Sequence, residues 1–80
     1  MTNRAEDLKV EYDWNIVREN MKKIRQQHNM TVLALSKELK WGHATIGSYE
    51  TGKRTPTILY VIEFCKYFKV TIENLFKKEM

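Results

Sequence analysis

Cysteine, proline and glycine are scarce in this chain, and aspartate is missing altogether after residue 13. The lone cysteine, Cys65, excludes an intramolecular disulfide, and the two histidines, His28 and His43, stand in no cluster with metal-ligand spacing. No metal or cofactor is therefore expected. Proline occurs once, at Pro56, and glycine three times, at Gly42, Gly47 and Gly52, so regular structure has few obligatory breaks. No apolar run approaches the roughly 20 residues that span a bilayer, and Met1 to Asp13 is too polar and acidic for a secretory signal. A cytoplasmic protein with no membrane association is expected. Nucleophile, base and orienting group form no recognisable constellation, which sets enzymatic chemistry aside, and no small-molecule ligand is implied.

What is present is short and basic. Eighty residues make one domain with a modest core, too small to enclose a sizeable substrate, so a binding module is favoured over an enzyme. The net charge of +4 is unevenly spread. Residues 1–13 carry Arg4 and Lys9 against Glu6, Asp7, Glu11 and Asp13, whereas residues 14–80 carry twelve Lys or Arg against six Glu. A basic body of this kind attracts polyanions, with counterion release from phosphate as the usual source of affinity. Charge alone would serve solubility equally well.

Apolar spacing in the body reads as helices. Val17, Met21, Ile24 and His28 lie on one helical face, with Arg18, Lys22 and Lys23 turned outward. Asn29 tolerates the left-handed conformation that ends a helix. Thr31 and Thr57 suit the N-cap position, and the pairs Met30 and Leu35, Trp41 and Ile46, Val70 and Leu75 have the spacing of a hydrophobic staple. Thr55-Pro56-Thr57 stops one helix and restarts the next. Ile58, Val61, Ile62, Cys65 and Phe68 give the most apolar stripe, marking the fourth helix as the core helix. The expectation is an all-α bundle of five short helices at about 15–28, 32–39, 43–50, 57–68 and 72–78, packed together because their connections are short.

Residues 31–56 set two of these helices around the tight turn Lys40-Trp41-Gly42. This is the pattern of a helix-turn-helix, whose second helix enters the DNA major groove. Arg25, Met30-Thr31, Leu35, Leu39, Lys40-Trp41-Gly42, Ile46, Tyr49-Glu50-Thr51-Gly52-Lys53, Pro56 and the run from Phe68 to Leu75 together resemble the Cro and phage-repressor, or Xre-like, helix-turn-helix family. The resemblance covers roughly Val17 to Phe76, and its most specific part is the Glu-x-Gly-Lys-Arg-x-Pro run that begins at Glu50. It implies a compact, lambda-repressor-like five-helix bundle that binds DNA. It also implies that Arg25 and Glu50 pair, tying the first helix to the recognition helix.

The third helix divides its residues. Ile46 and Tyr49 face inward beside Trp41, which leaves His43, Ala44, Gly47 and Ser48 on the outer side. By the resemblance, the base-contacting positions are Gly42, His43, Ala44, Thr45 and Ser48. The family often carries Gln, Arg, Ser or Asn there, whereas here only His43 combines reach with hydrogen-bonding groups, so direct readout is sparse. Either the helix sits deep because Gly42, Ala44 and Gly47 let its backbone approach, or specificity leans on DNA shape. Phosphate contacts are expected from Lys53 and Arg54, from the helix starts at Thr31 and Thr57, and from Lys37 and Lys40. Val32 occupies a position where the family often has a phosphate-binding glutamine, so that contact is missing.

Residues 1–13 stand apart from the domain proper, 14–80. Leu8 to Trp14 alternates with the period of a strand, so this acidic segment reads either as a strand able to lie on the core or pair with a second subunit, or as an arm. The expected function is sequence-specific binding of double-stranded DNA by a small transcriptional repressor. It would act as a homodimer on a palindromic operator with half-sites about 34 to 36 Å apart. Leu75 and Phe76 of the fifth helix are the expected dimer surface. The alternative is a protein-interaction module that keeps the bundle without reading DNA, a reading suggested by the small residues of the third helix.

Overall fold

In the computed structural model, which describes residues 13–77, the chain folds into five helices: α1 (Trp14–Gln27), α2 (Val32–Leu39), α3 (His43–Thr51), α4 (Ile58–Phe68) and α5 (Ile72–Leu75). Short polar side chains set four of the five starts. Asp13, Thr31, Thr57 and Thr71 accept from the backbone N–H of Asn15, Ala34, Tyr60 and Asn74 respectively, satisfying donors that a helix leaves free at its first turn. The segment expected as a strand or arm lies outside the described residues except at its end. There Asp13 and Trp14 cap and open α1, so the strand period does not extend to them.

The helix ends use the left-handed conformation repeatedly. Asn29 follows α1 at φ 56° and Gly52 closes α3 at φ 87°. Lys40 at φ 60° and Lys69 at φ 58° close α2 and α4 in the same way, although a side chain there costs roughly 1–2 kcal/mol relative to right-handed backbone. The reversals these residues produce are tight, with Trp41 N–H bonding back to the Ser36 carbonyl and Val70 N–H to that of Cys65.

The core gathers Val17, Met21 and Ile24 of α1, Leu35 of α2, Ile46 and Tyr49 of α3, five residues of α4, and Leu75. The inward face of α4 differs from the stripe expected from sequence. It consists of Tyr60, Val61, Phe64, Cys65 and Phe68, while Ile58 and Ile62 are 67 % and 41 % exposed. Nearly every residue of α4 is apolar, so its periodicity admits more than one face. Aromatic packing decides between them: Tyr60 meets Trp41 and Tyr49 with ring centroids 5.1 and 4.9 Å apart, and Phe64 meets Phe68 at 4.6 Å. His28, expected on the inner face of α1, is exposed and only covers the edge of the core, its ring 4.7 Å from that of Phe68.

Helix α5 is shorter than expected, ending at Leu75 instead of continuing to residue 78. Its end is held by Asn20, a fully buried residue of α1 whose Nδ2 donates to the carbonyls of Leu75 and Lys77, both at 2.8 Å. Of the expected dimer surface, Leu75 is withdrawn by burial, while Phe76 stays partly exposed. Leu75 has no exposed area and fills the core, and Phe76 packs edge-on against Trp14 at 5.8 Å.

Candidate nucleic-acid interface

The helix-turn-helix is anchored from behind. Ile46 and Tyr49 bury the inner face of α3, and the indole Nε1 of Trp41 donates to Glu63 Oε1 at 2.7 Å, fixing the turn between α2 and α3 to α4. The Arg25 guanidinium forms a two-point pair with Glu50, Nε to Oε2 at 2.7 Å and Nη2 to Oε1 at 2.9 Å. Its third nitrogen, Nη1, donates to the Met30 carbonyl at 2.6 Å. One side chain thus joins α1, the approach to α2 and the end of α3. The hydrogen bond that Arg25 donates to Glu50 holds the guanidinium above its ordinary range despite burial, so Arg25 is charged throughout the physiological range.

With that face occupied, α3 presents its opposite face to solvent. Gly42, the N-cap, together with His43 and Ala44, is exposed, and Thr45, Gly47 and Ser48 are partly buried. Of the expected base-contacting residues, Ala44 lies opposite Ile46 and Tyr49, His43 and Ser48 flank that side, and Gly42 and Thr45 stand one turn before Ile46 and Tyr49. A methyl group placed on Gly47 would meet no atom within 4 Å, so nothing in the fold itself demands glycine there.

The expected phosphate contacts lie at two helix starts, on α2, at the turn after it and in the loop leaving α3. Lys53 and Arg54 are exposed in the loop leaving α3, and that loop is pinned: the Ser48 carbonyl accepts from Gly52 N–H at 3.1 Å and from Arg54 N–H at 3.2 Å. Thr31 and Thr57 use their hydroxyl oxygens as helix caps and remain exposed, which leaves each hydroxyl hydrogen available to an anion. Lys40 is exposed at the turn. Lys37 is also exposed and lines a shallow groove with His28, Met30, Glu38 and Tyr67.

Two features of this region are hard to see in the sequence. The Trp41–Glu63 bond joins residues 22 apart. Arg18, which the helical period places outward, lies over Gly52: a methyl group there would come within 3.0 Å of Arg18 Cζ, 3.1 Å of Nη2 and 3.2 Å of Nε. Its signal in sequence is confined to Gly52, which the left-handed backbone would require in any case. Burial pushes the Cys65 thiol up, away from the reactive thiolate. Among the described residues no group of His, Cys, Asp and Glu is arranged to hold a metal ion, and no helix is long and apolar enough to cross a membrane.

Comparison with known proteins agrees with this geometry. A helix-turn-helix family model matches residues 21–75, from the middle of α1 to the last residue of α5. Over 60 residues the chain is 33 % identical to an uncharacterized HTH-type transcriptional regulator of Methanocaldococcus jannaschii, a match covering 75 % of this chain and 91 % of the relative. No solved structure matches significantly. The braced helix pair, its outward third helix and these two matches lead to one conclusion: the chain belongs to the Cro and phage-repressor, Xre-like, family of helix-turn-helix proteins.

Proposed function

We propose that this protein is a transcriptional regulator that binds double-stranded DNA in a sequence-specific way, placing α3 in the major groove, and that it represses by occupying a promoter in the cytoplasm. The observation that carries the reading is the division of α3. Ile46, Tyr49 and the Arg25–Glu50 pair lock it to the bundle, while Gly42, His43 and Ala44 are exposed and Thr45 and Ser48 are partly exposed beside them. His43 is the residue with reach to a purine edge, and Ala44 and the Thr45 methyl suit a thymine methyl. Lys53, Arg54, Lys40 and the helix starts at Thr31 and Thr57 supply phosphate contacts that fix register without reading sequence. Two copies on a palindrome follow the usual geometry of such domains, with recognition helices one helical turn apart.

Selection of bound sites from random duplex DNA, repeated with His43→Ala, tests this directly. An enriched twofold motif, relaxed at one base position in each half by the substitution, is the expected result. Weak binding with no enriched motif would overturn it and favour a protein-interaction module on the same scaffold.

A further inference from the structure

We propose that Arg18 is a phosphate-binding residue of the DNA interface, grouped with Lys53 and Arg54 at the exit of α3. The inference rests on the DNA-binding reading above and extends it to α1. Three observations support it.

The first is position. The guanidinium lies against the backbone of Gly52, close enough that a single added methyl would sit 3.0 to 3.2 Å from Cζ, Nη2 and Nε. Gly52 is the residue from which the chain turns into Lys53 and Arg54, and the Ser48 carbonyl pins both ends of that turn. Three cationic side chains therefore start from one corner of the molecule. The second is partnership. Arg18 Nη1 donates to Asn15 Oδ1, and the ion pair present among the described residues is Arg25–Glu50, so the Glu50 carboxylate is taken and no other acid among those residues pairs with Arg18. The third is order. Asn15 on one side and Gly52 on the other hold the planar group in place, so little rotamer freedom is lost when an anion arrives. A fixed fork of N–H donors without a carboxylate fits the oxygens of a phosphodiester.

Arg18 could instead merely complement the negative end of the α3 dipole, a role that shows in stability and not in DNA binding. The two separate in a salt series from about 50 to 200 mM on the full chain, with a short fluorescein-labelled duplex of mixed sequence as the probe. Arg18→Met keeps apolar contact with Gly52 and removes the charge. Lys23→Met, about 140° around α1 from Arg18, makes the same change in net charge elsewhere. With Arg18→Met, the slope of log affinity against log salt should fall by about 1 and affinity at about 100 mM salt should drop roughly five- to tenfold. Melting should move by less than about 4 °C. Lys23→Met should leave the slope as in the wild type, and the double variant Arg18→Met with Lys53→Met should lose about 2 from it.

A wild-type slope for Arg18→Met, with a lowered melting temperature, would overturn the assignment and leave Arg18 as a helix-end complement. A double variant no weaker than Lys53→Met alone would overturn it too, showing that Arg18 acts only by placing Lys53. If the wild-type chain itself shows no salt-dependent binding, the DNA-binding reading fails first and this inference with it, an outcome distinct from the other two.

Discussion

At the scale of single residues, the most consequential is Glu50. Its carboxylate completes a nearly buried, two-point pair with Arg25, with side-chain exposures of 13 % and 10 %. Removing it strands a guanidinium that also holds the Met30 carbonyl. Glu50→Ala should destabilise by about 3 to 5 kcal/mol, seen as a fall of more than about 10 °C in melting temperature; an unchanged transition would deny the pair its bracing role. Tyr60 governs the alkaline limit. Burial, reinforced by Glu50 and Tyr49, pushes its phenol well above the ordinary range, so the folded state keeps a proton that the unfolded chain releases above about pH 10. Its contribution is complete below that pH and is lost as pH rises toward the folded value. Melting curves taken between about pH 10 and 12 should fall less steeply for Tyr60→Phe than for the wild type, and parallel curves would refute this. The family pattern pointed to Arg25 and Glu50 because both match its positions. Asn20 was not legible: an asparagine in α1 carries no mark that its partners are carbonyls 55 and 57 residues away.

At the scale of elements, the helix starts were the readable part, because a threonine before an apolar run is a local signal and the capping bond stays within three residues. Faces were less readable. Helix α4 offers aliphatic and aromatic residues all round, and only the shape of the space beside Trp41 and Tyr49 selects Tyr60 and Phe64 over Ile58 and Ile62. The inner side of α3 was readable, since Ile46 and Tyr49 are its buried residues as their spacing implies. Helix ends hold a reserve of stability. Lys69 closes α4 at φ 58° with its N–H on the Cys65 carbonyl, a geometry that glycine adopts without strain. Lys69→Gly should therefore raise stability by about 0.5 to 1 kcal/mol, or several degrees in melting temperature. A lower melting temperature would mean that the lysine makes compensating contacts.

At the scale of the whole molecule, the described residues leave three exposed aliphatic side chains on α4, besides Leu33 on α2 and Ile72 on α5. Ile58, Leu59 and Ile62 are 67 %, 54 % and 41 % exposed and lie at helical neighbour spacing. Together they amount to a few hundred Å2 at most, within the range of ordinary monomer patches. A stable pair needs about 800 Å2 from each partner. The free chain should accordingly sediment as a monomer at low micromolar concentration, with two copies found together only on a palindromic duplex; a tight dimer without DNA would contradict this. The same separation of duties shows on α3. Since a methyl on Gly47 meets nothing, and His43 and Ala44 are exposed, the letters proposed to face the groove can change without a change in the grammar that folds them. Substitutions there draw on no core contact, so a descendant of this chain could acquire a new operator stepwise while every intermediate remains folded. Preference for a DNA site is thus the trait of this protein most open to evolutionary drift and to deliberate rewriting.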